Sequence, residues 1–137
     1  MKQARKTQPN AVSFLVDSRA MSASLERAFR RRGVRRLYSI QRAFQVNARE
    51  LGELFGVTRQ AVDQWMQRGV PTDRFADVDR VAELADELSR TFRRDRLPSI
   101  VRAPLPGLDN ASILETILAR GTARAFELVE RLHSWTS

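Results

Sequence analysis

The chain has no cysteine, one histidine and one tyrosine. Without cysteine there is no disulfide framework, no thiolate nucleophile and no cysteine-ligated zinc finger. The lone histidine, His133, cannot build a metal site unless carboxylates provide every other ligand. Few side chains are left that titrate near neutral pH. No nucleophile, base and orienting group form a set, so the reading expects no enzyme: no catalytic residue, cofactor, metal or small-molecule substrate. No apolar run approaches the length of about 18 residues that a spanning helix requires, so no membrane partner is expected. The basic residues after Met1 are followed by neither an apolar run nor a small-residue cleavage site. That argues against a secretory signal and for a cytoplasmic protein.

Acids are scarce in the first part of the chain. Residues 1–42 carry eleven Lys/Arg against two acids, a net of +9, whereas 43–97 carry nine against ten and 98–137 four against four. Nearly all of the total of +8 therefore precedes the middle. A basic flank beside a balanced body suits contact with phosphates. The bland alternative is a solvated arginine-rich helix. At 137 residues and 42% hydrophobic, the chain is long and apolar enough for one domain, or for two small modules sharing a core.

No segment alternates with strand periodicity for long enough to count, so the fold is expected to be all-α. Residues 1 to about 12 read as a flexible basic arm, with a short apolar patch at Phe14, Leu15 and Val16 behind it. A first helix is expected from near Ser24, carrying Met21, Leu25, Ala28 and Phe29 at helical spacing, and ending at Gly33. A second covers roughly residues 35–44, with Leu37, Ile40, Ala43 and Phe44 on one side. Asn47 followed three residues later by Glu50 is a capping box for a short helix that Gly56 stops. Thr58 caps the next helix, which runs to about Gln67 and stops at Gly69, just before Pro71. Thr72 opens a longer helix with Phe75, Val78, Val81, Leu84, Ala85, Leu88 and Phe92 every three or four residues. Three of the five prolines, Pro98, Pro104 and Pro106, and Gly107 fall in 97–110, which is expected to be a linker holding at most one short turn of helix. Ser112 with Glu115 caps another helix that Gly121 closes, and Thr122 is expected to cap the last.

Within 51–65 the apolar and small positions form an ordered set: Leu51, Gly52, Phe55, Gly56, Val57, Val62 and Trp65. Gly52 lets the second helix cross closely, and Gly56 permits a positive φ in the turn. The large residues pack inward and fix the angle between the helices. The second helix then presents Thr58, Arg59, Gln60, Asp63 and Gln64 outward as base-reading candidates, because arginine suits guanine and glutamine adenine in a major groove. Asp63 is read as a partner that orients Arg59 or Gln67, or as an acceptor from a cytosine amine. Arg31, Arg32, Arg35, Arg36, Arg42 and Arg68 are the phosphate-binding candidates. The competing reading of the helix is an ordinary polar face.

The segment 51–65, LGELFGVTRQAVDQW, resembles the helix-turn-helix of Xre-type regulators. The C-terminal third resembles the toxin-binding domain of the Xre/MbcA/ParS antitoxin family, through Pro104, Leu105, Pro106, Gly107, Leu108, Asp109 and Asn110, then Ser112, Ile113, Leu114 and Glu115, then Gly121. It departs from the family pattern at Leu105 (where asparagine is frequent), at Asp109 and Asn110 (in place of a Gly-Gly pair), and at Ile113 (in place of proline). The two resemblances cover about residues 37–134. With the polar, basic start read as a flexible arm at 1–20, they imply a helix-turn-helix DNA-binding domain at 21–96 and a small helical toxin-binding-like domain at 97–137. They also imply an antitoxin that binds double-stranded DNA as a homodimer, represses its own operon and neutralises a RES-domain toxin, an enzyme that consumes NAD or modifies proteins with ADP-ribose. On that resemblance Leu105, Leu108, Ile113, Leu114 and Trp135 would serve the toxin surface. The alternative is a stand-alone regulator whose C-terminal domain serves dimerisation. His133 is read as a helix-end residue, and Trp135 either as an interface anchor or as folded back on the core.

Overall fold

Where apolar residues recur every three or four positions the chain is helical, and the elements follow that pattern. The structure, a computed structural model, describes the backbone of residues 11–136 and the side chains of 18–125, 127–131 and 134. The helices are α1 (Ala11–Phe44), α2 (Ala48–Phe55), α3 (Arg59–Arg68), α4 (Thr72–Thr91), α5 (Leu97–Ile100), α6 (Ile113–Arg120) and α7 (Ala123–Thr136). Single 3-10 turns lie at Arg94–Arg96 and Pro106–Leu108. No β-strand occurs among the described residues, and one isolated antiparallel bridge joins Leu105 to Ala111. The fold is all-α. Among the described residues no helix is long and apolar enough to cross a membrane.

Helix α4 is the centre of the packing. Its buried residues Val78, Val81, Ala82, Leu84, Ala85 and Leu88 are shared between α1 on one side and α7 on another. Leu37, Ile40 and Phe44 of α1 enter the same core, with Leu51, Leu54 and Phe55 of α2, and Val62 and Trp65 of α3. Burying a side chain of this kind is worth about 1.5–3 kcal/mol, so this cluster dominates the stability of the fold.

The N-terminal expectation needs correction. The two separate helices are one, 34 residues long, and Gly33 lies inside it rather than at an end. Glycine is required there for a different reason. A β-carbon at position 33 would stand 2.6 Å from Val70 Cβ. The mirror contact occurs at Gly69, where a β-carbon would stand 2.6 Å from Arg30 Cβ. Val70 N–H donates to the Arg30 carbonyl at 3.3 Å across this seam. The flexible arm expected at 1–20 is likewise helical from Ala11 onward; residues 1–10 lie outside the described ones. Helix α1 ends after Phe44 with Gln45 left-handed at φ 55°. Arg102 latches that end from far along the chain, donating through Nη1 to the Phe44 and Pro98 carbonyls at 2.7 and 2.8 Å and through Nη2 to the Gln45 carbonyl at 3.0 Å.

The segment 97–110 is not a free linker. Leu97 and Val101 are fully buried in the common core, and Leu108, Ile113 and Ile117 continue it. Leu114 N–H donates to the Val101 carbonyl at 3.1 Å. The C-terminal third thus shares the core of the helix-turn-helix part, because the apolar residues that could have formed a separate module face Leu84 and Leu88 of α4. Thr122 donates its hydroxyl to Asp77 of α4 at 2.9 Å, adding a polar tie.

Candidate nucleic-acid interface

The supporting helix α2 begins with a reciprocal cap. Glu50 N–H donates to the Asn47 side chain at 2.8 Å and Asn47 N–H donates to the Glu50 carboxylate at 3.0 Å. It ends at Gly56, left-handed at φ 67° and ψ 31°, a conformation that glycine adopts without strain. Gly52 has a second necessity. A β-carbon there would lie 2.7 Å from the Val57 carbonyl oxygen, a backbone atom with nowhere to retreat. Val57 N–H bonds back to the Gly52 carbonyl at 2.9 Å, which sets the turn. Thr58 then caps α3, its hydroxyl oxygen accepting from Ala61 N–H at 3.1 Å.

Below the turn, Val62 and Trp65 are buried, and the Trp65 ring meets Phe55 at 6.2 Å between centroids. This pair fixes the roll of α3 about its axis. With Val62 and Trp65 inward, Thr58, Arg59, Gln60, Asp63, Gln64, Gln67 and Arg68 are all exposed. All five base-reading candidates are thereby on the solvent side of one helix. Asp63 lies 3.8 Å from Arg59 Nε, a loose i,i+4 pair that biases the guanidinium without holding it. Leu54 is a further buried member of the motif that the seven-position set omitted, although its place one turn from Leu51 was a usable signal.

The six phosphate candidates divide into two groups. Arg31 and Arg35 of α1 share a cleft of about 350 Å³ with Met66, Gln67 and Arg68 at the C-terminal end of α3. The seam at Gly33, Gly69 and Val70 brings them there, since any larger residue would hold α1 and α3 apart. The other three turn toward α4. Arg36 donates to Asp79 at 3.0 Å and to Asp86 at 2.8 Å, so its charge is already neutralised within the fold and it leaves the phosphate set. Arg32 lies over the Phe75 ring at 5.8 Å. Arg42 borders a groove with Asp86, Ser89 and Arg94.

The C-terminal candidates are arranged differently from the expectation. Leu108 and Ile113 are core residues, and Leu105 and Leu114 are half-buried against the same core. Their apolar atoms are already covered, so Leu108 and Ile113 cannot be direct contacts for a partner. Trp135 and His133 lie outside the described side chains. The 104–110 turn does take the left-handed form that aspartate and asparagine tolerate, with φ 57° at Asp109 and 67° at Asn110. Ser112 and Glu115 form the expected reciprocal cap at 2.8 and 3.0 Å. Between this turn, α6 and α7 lies a polar cleft of about 350 Å³ bordered by Asp109, Arg120, Arg124 and Arg131. Comparison of the chain with known protein families, with curated proteins and with solved structures finds no match to any of them.

Proposed function

We propose that the chain is a sequence-reading regulator that binds double-stranded DNA in the cytoplasm, with α3 lying in the major groove. The carrying observation is the cleft where Arg31 and Arg35 of α1 meet Gln67 and Arg68, at the edge of a helix whose other face is buried. A merely solvated polar helix has no need of two arginines brought beside it from another element. Gln60 and Gln64 read adenine edges and Arg59, steered by Asp63, reads guanine. Each bidentate contact is worth about 1–3 kcal/mol of discrimination. Arg31, Arg35 and Arg68 bind phosphates on the flank, which orients the helix without reading sequence.

The test starts with selection of a preferred duplex from a random pool and measurement of binding by anisotropy. Gln60→Ala and Gln64→Ala are expected to bind preferred and scrambled duplexes more nearly alike. Arg31→Gln and Arg35→Gln are expected to weaken both equally, each lowering the salt slope by about 0.9 if one phosphate contact is lost. A parent protein that enriches no sequence from the pool sinks the reading.

A second reading adds capture of a RES-domain toxin by the C-terminal third, making the protein an antitoxin that represses its own operon. It is favoured by the left-handed 104–110 turn and the arginine-bordered cleft beside it, together with the family resemblance of that segment. Co-purification with a RES-domain protein encoded beside this gene tests it. Absence of such a gene, or failure of the two products to associate, leaves the regulator alone.

A further inference from the structure

The cleft between the 104–110 turn, α6 and α7 gathers three cations that the DNA reading does not use. Arg120, Arg124 and Arg131 all border it. Arg120 makes no hydrogen bond or ion pair among the described residues. Arg131 is anchored by one nitrogen, Nη1 donating to the Gly107 carbonyl at 3.0 Å. Arg124 is largely buried, with 12% of its side chain exposed, and pairs with Glu127 through Nη1 alone. Its Nε–H is buried without a hydrogen-bond partner. Nε and Nη2 are the two donors along one edge of a guanidinium, an edge that grips an oxyanion with two parallel bonds. The edge left over from Glu127 is therefore a bidentate one. Because Nε is shut off from water as well, a turn of the side chain that presents this edge to the cleft gains a bond that nothing else in the fold supplies. Arg124 also stands in the first turn of α7, where the helix dipole favours negative charge and no acidic side chain provides it. Two carboxylates border the same cleft. Glu115 is committed to Ser112 N–H in the cap of α6, and Asp109 makes no ion pair with any of the three arginines.

We propose that this cleft binds a small phosphate monoester carrying hydroxyl groups, its phosphate held by Arg120, Arg124 and Arg131 and one hydroxyl donating to Asp109. Three arginines around one small space repel one another unless an anion lies between them, and Glu127 neutralises only one. A phosphate group offers three strong acceptor oxygens, which suits three guanidinium groups better than a carboxylate does. Volume argues for more than a bare ion. The cleft measures about 350 Å³, within the range of about 300–1,000 Å³ found for small-molecule sites. Asp109 indicates what fills the remainder, since an ionised carboxylate only accepts and is met by a hydroxyl of the ligand. Bound there, the ligand ties the 104–110 turn to α6 and α7, and α7 is already tied to α4 through Thr122 and Asp77. The inference rests on the cleft itself and on neither functional reading above.

The experiment is calorimetric titration of the full chain with ribose 5-phosphate, inorganic phosphate and ribose, with thermal melts alongside. Ribose 5-phosphate is expected to bind more tightly than inorganic phosphate and to raise the melting midpoint with its concentration, and ribose is expected not to bind. Arg120→Gln, at an exposed position without a partner, is expected to keep the unliganded midpoint and to weaken both phosphates by about tenfold, the effect of one charge-assisted bond. Arg94→Gln, at an exposed arginine outside the cleft, is expected to change neither. Asp109→Gly keeps the left-handed backbone at φ 57° and is expected to erase the advantage of ribose 5-phosphate over inorganic phosphate. Equal binding of the two phosphates by the parent means an adventitious ion only and overturns the proposal, as does an Arg120→Gln protein that binds both like the parent. An Arg120→Gln protein that loses duplex binding, where the parent takes up no ribose 5-phosphate, assigns the cleft to a nucleic-acid backbone and overturns it equally. Ribose 5-phosphate binding by a chain that reads no duplex and captures no RES-domain partner supports the cleft, and it is then the functional readings that fail.

Discussion

Replacing Gly33 by alanine sets two effects of known size against each other. Alanine in a helix interior is favoured over glycine by about 1 kcal/mol. Against this, the new β-carbon would stand 2.6 Å from Val70 Cβ and 2.7 Å from its Cγ2. A rotamer change at Val70 moves Cγ2 and leaves Cβ where it is, so the backbone must give. That backbone is poorly placed to move. Gly69 already lies against Arg30, Val70 N–H is bonded to the Arg30 carbonyl, and Pro71 follows with its φ fixed by the ring. Overpacking of this kind costs about 1–3 kcal/mol, and with no flexible tip to deflect, the upper half of that range applies. The expected net effect is a loss of ~1–2 kcal/mol, a drop of a few degrees in the midpoint of thermal unfolding. Denaturant unfolding followed by far-UV circular dichroism measures it, with the slope of the transition checked for a change of unfolded state. A Gly33→Ala protein that is as stable as the parent, or more so, would mean that the seam has slack and helix propensity wins. The arginine cleft beside α3 would then need another explanation.

Two further outcomes follow from the same packing. Trp65→Ala removes the buried ring that faces Phe55 and is expected to cost ~3–5 kcal/mol; a thermal midpoint equal to that of the parent would show that α3 is rolled about its axis. Arg102→Ala deletes three charge-assisted bonds to carbonyls at the end of α1 and in α5, for an expected loss of ~1.5–3 kcal/mol. Arg102→Lys is expected to recover only part, because one ammonium cannot reproduce the two-nitrogen fork, and full recovery would argue for charge alone.

The helix-turn-helix was legible because its signals are local. Asn47 with Glu50, the left-handed Gly56, the Thr58 cap and the inward Trp65 each act within a few residues of one another. The continuity of α1 was not legible. Glycine after three arginines reads as a helix end, and only the distant Val70 reveals that the position serves a close crossing. The basic residues of α1 posed a different problem. Arg31, Arg32, Arg35 and Arg36 are alike in composition, and what separates them is which neighbour each meets: Gln67 and Arg68 for Arg31 and Arg35, the Phe75 ring for Arg32, and Asp79 and Asp86 for Arg36. Leu108 and Ile113 were misread for a related reason. An apolar residue in a proline-rich segment suits a partner surface and a core equally well, and the choice is made by Leu84 and Leu88 of α4, which these residues help to bury.

The latch from Arg102 to the end of α1 also orders events during synthesis. The donor and its acceptors at Phe44 and Gln45 are separated by 58 and 57 positions. While the ribosome is still making the segment between them, the helix-turn-helix can assemble locally, but the last carbonyls of α1 face water. Leu84 and Leu88 wait in the same way for α7. The nascent chain therefore passes through a stage with α2 and α3 formed and the end of α1 open. A product terminated before residue 102 stays at that stage, with apolar surface available to quality-control proteases.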